Sequence, residues 1–169
     1  MPTPTRAQDR LQPALLDRLT DDEPGIGVEP PERRVLNRTR LRAAILRDLR
    51  HLFNSTSMSG GREFEGFPEV ERSVLNYGLP ALSGRTASSL DPMAMEEMVR
   101  RCILAYEPRI LPESLRIEAS ISSRQLDHHN QIGFRIDGQL WAQPVPVHLL
   151  LRTDIDLETG AVEIQDLTP

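Results

Sequence analysis

Leu115-Arg-Ile-Glu-Ala-Ser-Ile121 and Ile132-Gly-Phe-Arg-Ile136 decide the architecture of this chain. In both stretches apolar residues alternate with polar ones. Successive side chains of a strand point to opposite faces, so each stretch reads as a strand with one face buried. Asp127-His-His-Asn130 lies between them and reads as a hairpin loop. Asp137-Gly138 is a tight-turn signal leading into a third strand that starts at Leu140-Trp141. Pro144 and Pro146 lack the N–H a central strand needs, which confines the start of that strand to an edge or a bulge. Strand character resumes from Val147 to Leu157, Glu158-Thr159-Gly160 turns the chain, and Ala161 to Gln165 closes the series. The expected sheet is an antiparallel four-stranded β-meander.

N-terminal to Pro112 the apolar period is helical. Leu41, Ile45, Leu49, Leu52 and Phe53 share one face of a helix that Asn37 can cap and that ends near Asn54-Ser55-Thr56. Pro68-Glu69 opens a second helix of about ten residues, carrying Val70, Val74 and Tyr77 up to Gly78. Asp91-Pro92 opens a third, with Met95, Met98, Val99, Cys102, Ile103 and Tyr106 inward and Pro108 as its stop. Three helices followed by four strands make an α+β fold. Six of the 14 prolines fall in residues 1–35. That segment reads as a proline-rich N-terminal arm, in which Leu11, Leu15, Leu16 and Leu19 mark a short amphipathic helix. Residues 36–169 read as a single α+β domain.

At 169 residues and 38% hydrophobic content, one domain with a modest core is expected. The longest apolar run, Val145 to Leu151, is interrupted by Pro146 and His148, far short of the roughly 20 residues a membrane span needs. Met1-Pro-Thr-Pro-Thr-Arg6 has no apolar stretch behind its charge, so a cytoplasmic protein is expected. The single cysteine, Cys102, sits at an apolar helical position and reads as a buried thiol. All 20 basic residues are arginines and the net charge is −5, which argues against bulk nucleic-acid binding. Arg33, Arg34, Arg38, Arg40, Arg42, Arg47 and Arg50 crowd one stretch that only Asp48 opposes. Such a stretch suits either a solvated helix face or desolvated protein contacts.

The side chains assemble no recognisable active site. Glu118 and Asp127 have the glutamate-to-aspartate spacing of phage-type lysozymes, but Gly133 replaces the threonine expected next, and the pair falls on a strand and hairpin. His128 and His129 are adjacent and point apart, with no third metal ligand in register. No Gly-x-Ser-x-Gly elbow occurs, and Gly60-Gly61 lacks the lysine of a nucleotide loop. No catalytic residue, metal or cofactor is expected. Tyr106-Glu107-Pro108-Arg109 stands out instead, because proline forces extended geometry where a helix ends. Alternate side chains of an extended run share a side, so Glu107 and Arg109 can act together, either to clamp a partner or as a local ion pair.

Several segments in order resemble one family. They are Leu15-Leu-Asp-Arg-Leu-Thr-Asp-Asp-Glu-Pro24, Arg47-Asp-Leu49 with Leu52-Phe-Asn54, Pro68-Glu-Val70 with Ser73-Val-Leu-Asn-Tyr-Gly-Leu-Pro80, and Tyr106-Glu-Pro-Arg-Ile-Leu-Pro112. Leu140-Trp-Ala-Gln-Pro-Val-Pro146 and Leu151-Arg-Thr-Asp-Ile-Asp-Leu-Glu-Thr-Gly160 complete the set. The chain is similar to the baseplate subunit TssE of bacterial type VI secretion systems, related to the small wedge protein of contractile phage tails. The resemblance implies a structural adaptor, not an enzyme, in which Glu107, Pro108 and Arg109 hold the subunit onto the helical core bundle of the baseplate wedge. It implies contact with TssF and TssG, with TssK nearby, and attachment to the TssB/TssC sheath at the cytoplasmic side of the inner membrane. Neither nucleic acid nor membrane insertion is implied. With the strand order, it points to Val162, Glu163 and Ile164 as an edge whose unpaired backbone accepts a sheath strand, with Glu163 and Asp166 discouraging self-pairing. The alternative is a lysozyme-like peptidoglycan hydrolase working through Glu118.

Overall fold

The chain folds as two layers, helices on one face of an antiparallel sheet. The computed structural model describes residues 14–19, 25, 27, 38–58, 64, 66–84, 86, 89–120, 130–142 and 145–168. The elements are α1 (Leu15–Leu19), α2 (Arg38–Phe53), β1 (Thr56–Ser57), α3 (Pro68–Glu71), β2 (Leu79–Pro80), α4 (Pro92–Tyr106), β3 (Arg116–Ser120), β4 (Gln131–Leu140), β5 (Val147–Asp156) and β6 (Val162–Asp166). A 3₁₀ turn, Val74–Asn76, follows α3. Strands β3 to β6 lie in chain order, each antiparallel to the next. This is the expected meander. Asn37, Leu11, Gly60-Gly61, Ile121 and Asp127 to His129 lie outside the described residues.

Helical period places Leu41, Ile45, Leu49, Leu52 and Phe53 on one buried face of α2, as their spacing predicts. Met95, Val99, Cys102 and Ile103 do the same for α4. These faces close over Ile132, Phe134, Ile136 and Leu140 of β4 and Leu149, Leu151 and Ile155 of β5 in one contiguous core. Helix α4 packs by β3 and α2 by β6. The Asp91 carboxylate accepts the Met93 N–H at 3.2 Å and caps α4, and Pro92 fills the first helical position, where no N–H is needed.

The second helix is much shorter than its spacing predicts. α3 holds only four residues, and the chain then re-forms as the 3₁₀ turn. Ser73 interrupts it: its backbone is extended and its hydroxyl accepts the Leu75 N–H at 3.2 Å, offering the backbone a local alternative to helix. Val74 and Leu75 are 78% and 70% exposed, so no burial holds a longer helix together. Downstream, Gly78 adopts φ +120°, and a Cβ there would overlap the Ser55 carbonyl; this close approach lets β2 pair in parallel with β1, a small sheet the spacing did not indicate.

The turn expected at Asp137-Gly138 is also absent. β4 runs straight through it, with Asp137 opposite Leu150 and Gly138 opposite Leu149. Gly138 is buried, and a Cβ on it would meet Ile110 Cγ2 at 3.6 Å and Leu115 Cδ1 at 3.7 Å. The glycine answers a close approach of neighbouring chain, not a turn. The predicted turn at Glu158-Thr159-Gly160 is present. Asp156 Oδ1 accepts the Glu158 and Thr159 N–H groups at 2.8 and 3.1 Å, and Gly160 supplies φ +77°. Hydrogen bonds from Thr159 and then Glu158 hold the Asp156 carboxyl below its usual range.

Candidate functional site

The corner after α4 is built from three local causes. Pro108 disfavours helical geometry in the residue before it, so Glu107 leaves the helix at φ −123°, ψ 77° while its N–H still reaches the Ile103 carbonyl at 2.8 Å. The next residues then pair with the far end of β4. The Trp141 N–H donates to the Arg109 carbonyl at 2.7 Å, the Leu111 N–H donates to the Gln139 carbonyl at 2.8 Å, and Ile110 bridges to Leu140. Ile110 is 1% exposed and anchors the segment. The corner is therefore fixed from both sides.

Glu107 and Arg109 meet, as the extended geometry predicts, but they meet each other. Arg109 Nε donates to Glu107 Oε1 at 2.6 Å and Arg109 Nη2 to Glu107 Oε2 at 2.5 Å, a fork on a carboxylate, and the Arg109 backbone N–H adds a third bond at 3.2 Å. Glu107 is only 3% exposed. Its carboxylate is consumed within the chain, so of the tripeptide only the Pro108 ring and part of Arg109 face outward. Arg109 Nη2 also donates to Asp48 Oδ2 at 2.5 Å. Burial works against the Arg109 charge, but the bonds and charge of Glu107, then of Asp48, outweigh it and hold the guanidinium above its ordinary pKa. Its Nη1 is buried and has no partner among the described residues.

The pair belongs to a longer chain of ions. Arg47 Nε and Nη2 donate to Asp48 Oδ1 at 2.9 and 2.8 Å, and Arg47 Nη1 donates to Asp17 Oδ1 at 2.5 Å. Asp17 Oδ2 in turn accepts the Ala14 N–H at 3.1 Å. Glu107, Arg109, Asp48, Arg47 and Asp17 thus alternate in sign from the corner, across α2, to α1. The hydrogen bond to Asp17 is the chief reason that the Arg47 pKa is raised. Spacing did not bring Asp48 and Asp17 to the corner, although Asp48 was conspicuous as the lone acid in the arginine-rich stretch.

An open groove of about 650 Å³ runs past the corner. Its walls are Ala14 and Leu16 of the arm, Asp48 and His51 of α2, Tyr77, and Tyr106 to Arg109. Tyr77 and Tyr106 meet edge to face with centroids 5.2 Å apart, and the Tyr106 hydroxyl donates to the Ser73 carbonyl at 3.1 Å. Leu15, Leu16 and Leu19 of α1 are 70%, 53% and 73% exposed. The short helix meets α2 with its acid and turns its leucines outward, the reverse of an ordinary amphipathic helix on a core.

The second predicted site is less open than its position at the sheet edge suggests. β6 is an edge strand, but Asn54 holds both backbone groups of Val162: its Oδ1 accepts the N–H and its Nδ2 donates to the carbonyl, each at 3.0 Å. Arg50 Nη2 reaches the Ile164 carbonyl at 3.4 Å, and Glu163 stands opposite Asp154 within the ladder. The expectation of unpaired backbone across Val162, Glu163 and Ile164 is therefore corrected, because the end of α2 lies along this edge. The arginine stretch is in part internal: Arg42 approaches Asp166 at 4.0 Å, Arg47 binds acids and Arg50 binds backbone. Glu118 is exposed on β3 opposite Arg135. Among the described residues, no three His, Cys, Asp or Glu side chains are placed to hold a metal, and no helix is long and apolar enough to cross a membrane.

A family model described as baseplate wedge protein gp25 matches residues 39–145. The match takes in Glu107, Pro108 and Arg109 and ends before β6. No curated protein and no solved structure matches the chain.

Proposed function

Because the chain belongs to the baseplate wedge protein gp25 family, and so has a structural role in a phage-tail-like baseplate, we propose that it is the TssE-type adaptor of a type VI secretion baseplate. In this reading the groove beside Glu107, Pro108 and Arg109 receives the helical core bundle of the wedge, formed by TssF and TssG, with TssK nearby. β6 receives the first ring of the TssB/TssC sheath. The adaptor works in the cytoplasm, beneath the inner membrane, and breaks no bonds.

The family match across the corner carries this reading. The groove adds a means: apolar walls from Leu16, Tyr77 and Pro108 beside one partly exposed guanidinium suit a helix that carries apolar side chains and an acid. The test is co-purification of TssF and TssG with the wild type and with Leu16→Asp, which changes the groove wall and leaves the ion chain intact. We expect at least a tenfold loss of wedge proteins at an unchanged thermal midpoint. Full retention by a folded Leu16→Asp protein would place the wedge elsewhere.

A further inference from the structure

We propose that the Asn54 carboxamide is a removable plug in the outer edge of β6, and that an extended, acid-bearing segment of a partner chain displaces it. The proposal rests on reading β6 as the sheath-facing strand. In an antiparallel strand paired on one side, alternate residues turn both backbone groups away from the partner. Here the Asp156 N–H donates to the Ala161 carbonyl and the Leu167 N–H to the Leu150 carbonyl, so odd-numbered positions face β5. Val162, Ile164 and Asp166 face outward.

At Val162 the side chain of Asn54 takes the place of a neighbouring strand. It accepts from the N–H and donates to the carbonyl, each at 3.0 Å, as one residue of a paired backbone would. The outward N–H groups of Ile164 and Asp166 meet no such side chain among the described residues. The edge is therefore closed at one end and open at the other. Asn54 is exposed, so its amide returns to water when displaced, and its separate bond to the Arg50 carbonyl at 2.9 Å need not break. An incoming backbone restores both bonds that the plug gives up, and the exchange conserves hydrogen bonds. An incoming strand also frees Arg50 from the Ile164 carbonyl and leaves its guanidinium facing that strand, where a carboxylate is the complementary side chain. On the opposite edge, Glu96 Oε1 accepts the Ala119 N–H at 2.7 Å, but a carboxylate has no donor for a carbonyl and cannot imitate a peptide group.

The test compares the full chain as wild type, Asn54→Ala and Asn54→Asp, the last keeping an acceptor for the Val162 N–H but not the donor. Amide exchange at Val162 is read in each isolated protein and in the presence of the purified TssB/TssC pair. In Asn54→Ala we expect exchange at Val162 to accelerate and sheath-pair affinity to rise, each by roughly three- to tenfold, the scale of one or two hydrogen bonds. Asn54→Asp should lie between, and it carries the test if Asn54→Ala does not fold. Val162 should be protected again in the complex. Equal affinity in all three proteins, or a complex in which Val162 stays unprotected, overturns the plug and leaves the attachment standing. Absence of sheath binding by all three removes the attachment itself, and the plug with it.

Discussion

Arg109 is counter-ion to a carboxylate that is almost wholly buried, which changes what its removal would mean. Replacing it by alanine strands Glu107 in a dry site beside Asp48, and breaking a buried pair from one side costs about 3–5 kcal/mol, here nearer the lower end because Arg109 keeps 21% exposure. We therefore expect Arg109→Ala to lower stability by about 3 kcal/mol in chemical denaturation. The wedge-holding role that the resemblance implies suggests loss of binding without loss of folding; a variant with wild-type stability would restore that view. Cys102 is simpler. Burial pushes its thiol up to about 12, and its Sγ lies 3.4 Å from the Gly78 carbonyl. The native protein should resist alkylation at pH 8, with one thiol reacting after denaturation. A thiol held protonated in the fold but ionised in the unfolded chain contributes stability that is complete below pH 9 and declines towards pH 12. Cys102→Ala should lack that decline in a pH series of denaturation midpoints.

Among the elements, the long periodic ones were legible and the short ones were not. α2 and α4 repeat an apolar face over several turns, and the alternating strands bury every second side chain, so a misjudged end leaves the assignment intact. The second predicted helix had only Val70, Val74 and Tyr77 against a serine to decide it, and the hydrogen bond of Ser73 to the backbone prevailed. Asp137-Gly138 is chemically suited to a turn, yet the same pair serves where Ile110 and Leu115 press on the strand, a contact between segments that local spacing does not encode. α1 illustrates the same limit. Its leucines predict a helix that orders against the core or against a partner; they stand exposed, and what ties the helix to α2 is Asp17 on Arg47. A partly exposed ion pair of this kind contributes about 0–1 kcal/mol. Asp17→Asn should accordingly shift the thermal midpoint by no more than a degree or two while accelerating trypsin cleavage ahead of residue 38. Unchanged cleavage would mean that other contacts retain α1.

For the molecule as a whole, the α+β class and the order of the meander follow from periodicity, and the Glu107-Pro108-Arg109 corner from one proline at a helix end. The wiring of that corner was hidden, since charges 61 residues apart meet only after folding. So was the cover on β6, where a residue just beyond α2 acts on a strand 108 positions later. The Arg109 carbonyl is also joined to the N–H of Trp141, one residue past the end of a ladder in which β4 and β5 share ten register pairs. A pull on the corner along β4 loads those rungs together in shear instead of peeling them singly. The corner is thus harnessed to the longest ladder among the described residues, and β6 lies on the far side of the same seam.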